Sequence, residues 1–304
     1  MNEAIQPIRQ AARQLVRELN LLDVQHCIDG FSFSECHLIT ELELMGQAAA
    51  SELGERLVLE KSTMSRLVNG LLERRYIRSD QDPADGRRRL LSLTKTGQTG
   101  AGRINRYSNQ QVASALDFVV DDEGEAIIGG LSRYAKALRY ARISADYTIR
   151  PIRKTDNPAV GHIIRQVMTE YGAVGCSYSI ADPEVDLMYE AYPAPGASFL
   201  VIEQRGKILG CGGMGPLAEG DPGVCELRKM YLLPEMRGTG LGNRLLSMIL
   251  DAARDAGYTL CYLETLEHMS QARHLYLRHG FGFVDTALGN TGHSGCNIWM
   301  TKPL

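Results

Sequence analysis

With 304 residues the chain is about twice the usual domain size, so two cores are expected rather than one. Apolar residues at 44% and charged residues at 23% exclude a disordered chain, and no apolar run approaches the roughly 20 residues needed to span a bilayer. The formal charge of −3 conceals a local imbalance, because residues 61–95 carry nine Lys/Arg against four acids, and such a patch fits a polyanionic partner.

The opening residues MNEAIQPIRQAARQLVRELN form an amphipathic pattern with no basic start, continuous apolar stretch or cleavage site, so the expected location is the cytoplasm. The seven cysteines are scattered without a CxxC pair, which favours free thiols over disulfides or zinc, and no metal site is expected. Ile8, Ala12, Leu15, Leu19 and Leu22 recur at helical spacing and predict a first helix over about 5–22. Further helices are predicted at about 34–45 with Ser34 as cap, at 48–56 and at 62–75. Two strand-like pieces, 76–78 and 89–93, then flank the turn-rich Asp82-Pro83-Ala84-Asp85-Gly86 and predict a hairpin. Helices at about 95–118 and 121–141 complete the first half.

From Tyr147 the pattern changes to alternating strands and helices: strand 147–152, helix 156–171, an irregular stretch to 197, and strands 198–204, 207–214 and 224–233. Helix 240–256, strand 259–265, helix 270–279 and strands 281–286 and 297–303 follow. The expected organisation is an all-α, winged-helix type domain over 1–144 and an α+β (mixed α/β) domain over 145–304.

In the helix at 62–75, Met64, Leu67, Val68, Leu71 and Leu72 share one face, which turns Ser62, Thr63, Ser65, Arg66 and Asn69 outward. Small hydroxyls and an arginine near the helix start suit the major groove of double-stranded DNA, and the hairpin arginines Arg87 and Arg88 suit an adjacent minor groove. The run KSTMSRLVNGLLERRYIRS followed by DPADGRRRLLSLTKTG resembles the MarR family of transcription regulators. The resemblance covers about residues 3–140. It implies a winged helix-turn-helix, a homodimer formed through the first and last helices of the domain, a pseudo-palindromic operator, and an Asp85 that braces Arg87.

In the second half, Arg237-Gly238-Thr239-Gly240-Leu241-Gly242 follows a strand and opens a helix. Glycines permit close backbone approach, and free N–H groups at a helix start attract phosphate, so the segment reads as an anion cradle. A ribose-binding acid on a following strand and a Gly-Lys-Ser/Thr run are both missing, which disfavours dinucleotide and P-loop readings. Together with ARHLYLRHGF at 272–281, the glycine turn resembles the GNAT superfamily of acetyltransferases over about 147–304. That resemblance implies acetyl-CoA as cofactor, with the amides of Arg237 to Gly242 on its diphosphate and Met230, Tyr231 and Leu232 along its pantetheine arm.

An alkyl ammonium with a pKa of about 10.4 must lose a proton before it attacks, at roughly 4 kcal/mol near neutrality. Glu226, eleven residues before Arg237, stands where related enzymes place their base; its other reading is an ion-pair partner of Arg228 or Lys229. Tyr276 matches the family tyrosine that protonates the leaving thiolate; its other reading is a packed aromatic. Glu264, Thr265 and His293 are candidates to line the acceptor site, with structural roles or exposure to solvent as the alternatives. The irregular stretch 172–178 and the loop 193–196 are expected to shape the pocket. The expected function is a regulator that also acetylates a small amine or amino acid, the alternative being a regulator whose second domain senses acyl-CoA or an amine without turnover.

Overall fold

A computed structural model describes residues 3–23, 27–120, 123–193 and 195–304. The chain forms two compact units, 1–127 and 128–304.

The first unit contains α1 (Ile5–Glu18), β1 (Cys27–Ile28), β2 (Phe31–Ser32), α2 (Phe33–Met45), β3 (Gln47–Ala49), α3 (Ala50–Leu57), α4 (Lys61–Glu73), β4 (Ile77–Gln81), β5 (Arg89–Leu93) and α5 (Lys95–Leu116). Helix α6 (Glu123–Ser144) crosses the division between the units. Ser32, not Ser34, caps α2: its hydroxyl accepts from the Glu35 amide while the Glu35 carboxylate accepts from the Ser32 amide, a reciprocal pair that stops both donors from going unmet. Strands β3, β5 and β4 form an antiparallel sheet in that order, with Gln47 opposite Ser92 and Ile77 opposite Leu93. Strand β3 has only three residues, too few for an alternating pattern, which is why the sequence reading passes over it. Phe31, Leu38, Leu42, Leu53, Leu71 and Leu91 are buried in the core of this unit. The thiol of Cys27 lies outside the described residues.

The second unit is built on one sheet ordered β11-β12-β10-β9-β8-β7-β6. Its elements are β6 (Thr148–Pro151), α7 (Asn157–Glu170), β7 (Ser198–Gln204), β8 (Lys207–Pro216), β9 (Val224–Leu232), α8 (Leu241–Asp255), β10 (Leu260–Thr265), α9 (Ser270–Arg278), β11 (Gly282–Val284) and β12 (Ile298–Pro303). Strand β7 buries Phe199, Leu200, Val201 and Ile202 in succession, as a strand covered on both faces must. Helix α8 buries Leu241, Leu245, Leu246, Ile249, Leu250 and Ala253 along one stripe. All neighbouring strands are antiparallel except β9 and β10, whose parallel register runs from Val224 opposite Leu260 to Glu226 opposite Tyr262. Past Glu226 the two strands part. Opposite, β8 and β9 shift register between Cys211 and Gly213, and Lys229 takes a φ of 55°, the mark of a bulge that turns its side chain inward.

The start of α7 is fixed by a buried charge network. Arg150 donates to both oxygens of Asp156 at 2.7 and 3.1 Å and to Glu203 at 2.6 Å, and Asp156 accepts from the Arg153 amide. The Arg150 hydrogen bond is the main reason the Asp156 carboxyl is held below its ordinary range. Truncating Arg150 leaves two carboxylates without their cation, so Arg150→Ala should lower unfolding stability by about 3 kcal/mol, read by denaturant titration. The loss should shrink as pH falls through the carboxylate range, because protonation removes the charges Arg150 offsets.

Candidate active site and candidate nucleic-acid face

The parting of β9 and β10 opens a cleft, and two cavities occupy it. The larger, about 630 Å³, is walled by Met230, Tyr231 and Leu232 of β9, by Gly238, Gly240 and Gly242, and by α9. The smaller, about 70 Å³, is bordered by Glu226 to Tyr231 on one strand and by Glu264, Thr265 and Leu266 on the other. Both cavities touch Met230, Tyr231, Met269, Ala272 and Tyr276, so Tyr276 stands at their junction.

The glycine turn is left-handed at Gly238 (φ 72°) and Gly240 (φ 89°), where side chains are disfavoured. A Cβ on Gly238 would meet open space, and one on Gly242 would only touch Leu232 and Leu275, so the backbone is uncovered at these two positions. Over Gly240 lies the ring of Tyr140, 2.4 Å from where a Cβ would stand, and Lys136 lines the same wall. The turn is tied from below: the Thr239 hydroxyl donates to the Met236 carbonyl at 2.6 Å, and the Leu241 side chain is fully buried. Neither Thr239 nor Leu241 lines the cavity. The Arg237 amide donates to the Pro234 carbonyl, and its guanidinium pairs with Glu170, donates to the Leu232 carbonyl and lies over the Tyr171 ring. Arg237 therefore shapes the turn and its own N–H is already used.

Tyr276 is buried, which raises its phenol above the ordinary range and keeps it protonated at neutral pH. Glu226 is 4% exposed; burial pushes its carboxyl up to about 7, against the opposing pull of Arg228 and then His293. Arg228 Nε stands 3.5 Å from a Glu226 oxygen. Lys229, named beforehand as an alternative partner of Glu226, instead pairs with Asp182 and Glu184. His293 is not a solvent-exposed loop residue: its Nε2 lies 3.0 Å from Asp182, and it borders the smaller cavity. Burial pushes Asp182 up, but hydrogen bonds from His293 and Lys229 outweigh it and hold the carboxyl below its ordinary value. Glu264 accepts from the Tyr262 hydroxyl at 2.7 Å, and Thr265 is packed against the Met269 sulfur.

The sequence reading did not find Asp182 or Ser179. Ser179 borders the smaller cavity and shares a 2.8 Å hydrogen bond with Tyr231. Nothing in the stretch 172–178 or in the described part of 193–196 borders that cavity, Ala194 lying outside the described residues. The segment that reaches the site begins one residue later, and no motif marks it, because its roles depend on partners 47–111 positions away.

Residues 164–281 match the Acetyltransferase (GNAT) family, and residues 29–88 match the MarR family. The uncharacterised N-acetyltransferase YjgM of Escherichia coli K12 is 42% identical over 157 residues, which cover 51% of this chain and 94% of that protein. The chain belongs to the GNAT acetyltransferase family. It joins a GNAT domain to a MarR region, and it is an acyl-CoA N-acyltransferase whose cofactor is acetyl-CoA. The L-amino acid N-acyltransferase MnaT of E. coli K12 is 30% identical over 141 residues, covering 46% of this chain and 81% of that protein. A GNAT-family acetyltransferase structure from Staphylococcus aureus Mu50 aligns with 52% of this GNAT chain and 98% of its own, at 16% identity and a TM-score of 0.45.

In the MarR region, α3 and α4 are joined by a short turn in which Val58 is left-handed. Met64, Val68 and Leu71 are buried, whereas Ser62, Ser65, Arg66 and Asn69 are exposed and Thr63 is half-buried. Arg66 donates to the Thr63 hydroxyl at 3.3 Å. In the hairpin between β4 and β5, Asp85 accepts from the Arg87 backbone amide, not from its guanidinium. With Gly86 between them, the carboxylate closes a turn two residues on, which leaves the Arg87 side chain to project. Arg88 is drawn back to Glu52 and Asp82.

Proposed function

We propose that this protein acetylates a small amine or amino acid and regulates transcription in the cytoplasm, with residues 145–304 as the enzyme and residues 1–144 as the DNA-binding domain. The observation that carries the enzymatic reading is the meeting of a large, glycine-walled cavity and a small, charged one at Tyr276, with Glu226 buried in the small one. The bare turn fits a diphosphate: the amides of Gly238, Thr239 and Gly240 and the first turn of α8 supply donors, and the helix dipole favours the negative charge. Met230, Tyr231 and Leu232 lie on the stretch of β9 that has left β10, where their backbone is available to the pantetheine amides. Bound acetyl-CoA supplies an acetyl group activated as a thioester. The chain supplies the two proton positions: the Glu226 carboxylate accepts the proton of the acceptor ammonium, and Tyr276 holds a proton at its hydroxyl as the acid. A carboxyl with a pKa near 7 is better matched to that exchange than an ordinary one near 4.3. A pocket of about 70 Å³ favours a small acceptor, and the name of MnaT adds amino acids to the candidates.

For the regulatory half, the exposed face of α4 with Arg66, and Arg87 on the wing, support contact with double-stranded DNA. A homodimer on a pseudo-palindrome is supported by helices α1 and α6, which bury none of their side chains; Ile5, Ile8 and Leu15 are exposed on the one, and Ile128, Leu131 and Leu138 on the other. No helix among the described residues is long and apolar enough to cross a membrane.

Mass spectrometry of products formed from acetyl-CoA and a library of amines and amino acids tests the enzymatic reading. Acetylation of one small class, with stoichiometric release of CoA, is expected. Acetyl-CoA binding with no acetylated product from any member would overturn it.

A further inference from the structure

Arg228 carries more hydrogen-bonding capacity than its surroundings use. A guanidinium has five donor hydrogens. Nη2 reaches only the Pro216 carbonyl, at 3.4 Å, and Nε is sealed from solvent with no hydrogen-bond partner. The group lies 5.4 Å from the Tyr192 ring centroid, and the Tyr192 hydroxyl is also buried without a partner. Two of the three such side-chain atoms among the described residues therefore belong to one stacked pair. Space for it is provided by Gly215, where a Cβ would come within 2.1 Å of Nη2. The neighbouring cation differs: Lys229 is matched by Asp182, Glu184 and the Ser179 carbonyl. Among the described residues Arg228 has only Glu226, a carboxyl whose burial favours its neutral form.

Arg228 and Glu226 both border the smaller cavity, side by side on β9. A ligand with a cation and an anion one carbon apart satisfies both, its ammonium at the carboxylate and its carboxylate at the guanidinium. A simple amine satisfies only the first and leaves the guanidinium, whose Nε is sealed from solvent, sharing Glu226 with the bound ammonium and without a carboxylate of its own, which is costly. We propose that Arg228 is the carboxylate anchor of the acceptor pocket, so that the acceptor is a free α-amino acid and not a simple amine. The assignment rests on the reading of the smaller cavity as the acceptor site.

The test compares the twenty common L-amino acids with their α-amides, in CoA release by the full chain and in calorimetric binding to the CoA-loaded chain. The acids should exceed their amides by about 30-fold or more in kcat/KM, the size of a charge-assisted hydrogen-bonded pair. Arg228→Gln should reduce this preference to within about threefold by raising KM for the acid more than for the amide, any change in kcat common to both reporting the lost pull of Arg228 on Glu226, and Arg228→Lys should restore part of the preference. A wild-type enzyme that uses amides as well as acids would overturn the anchor and leave acetyl transfer standing. An Arg228→Gln variant that keeps the full preference for acids over amides would reduce Arg228 to a structural role. Binding of acids over amides without CoA release would sustain the anchor and remove the transferase reading. No binding by any amino acid would overturn the anchor.

Discussion

Glu226→Gln should lower kcat by about 10²- to 10³-fold and remove the inflection of the pH profile near 7. In the wild-type protein, the proton-accepting form of Glu226 is populated only above a pKa that burial has moved up to about 7. Activity should therefore climb roughly tenfold per pH unit below that value and level off above it. Glutamine keeps the shape and the hydrogen-bonding edge but accepts no proton, so the remaining rate should show no levelling near 7 and should follow the free-amine fraction of the acceptor as pH rises. Stability should respond in the opposite sense. A carboxyl whose folded pKa exceeds its unfolded value contributes most below the unfolded value, near 4.5, and loses that contribution as pH rises through about 7. The melting temperature of the wild type should therefore fall relative to Glu226→Gln between about pH 4.5 and 7 and change no further above that. A variant with unchanged kcat, or with the same inflection, would assign the base to another group.

Replacing Arg66 and Arg87 together with alanine should weaken operator binding by about 10²-fold at fixed salt. Arg66 stands on the exposed face of α4, where an arginine reaching guanine is worth about 1–3 kcal/mol. Arg87 projects from a turn closed through its own amide, so its loss removes charge without opening the wing. The variant should also show a shallower dependence of affinity on salt, since fewer counterions are released. Unchanged affinity in a gel-shift titration would leave the winged region as a dimerisation scaffold. Arg88 is the informative control: its pairing with Glu52 and Asp82 must be broken before it reaches a phosphate, so Arg88→Ala should cost less than Arg87→Ala.

Both halves were legible in sequence wherever the information is local. The stripe of Met64, Val68 and Leu71 set the outward face of α4, and the glycines at 238, 240 and 242 marked the bare turn before any fold was known. The GNAT resemblance singles out Glu226, eleven residues before Arg237, as the candidate base. Its altered acidity is not legible in sequence, because burial raises the carboxyl against the opposing pull of Arg228 and His293, and neither the burial nor His293 is local to it. The same reason hid Asp182, whose partners Lys229 and His293 lie 47 and 111 positions further along the chain. The sequence also misled in two places. Local spacing made Ser34 the cap where the reciprocal Ser32–Glu35 pair prevails, and the MarR resemblance implied an Asp85 that braces Arg87, where the bond goes to the Arg87 main-chain amide. In each case the deciding partner was a main-chain amide, which a pattern of side chains does not display.

A crystal structure with acetyl-CoA tests the central claim most directly. The account predicts the diphosphate against the amides of Gly238 to Gly240 and the first turn of α8, with the Tyr140 ring displaced from Gly240 and the thioester ending beside Tyr276. A diphosphate bound elsewhere, with Tyr140 still seated on Gly240, would contradict it.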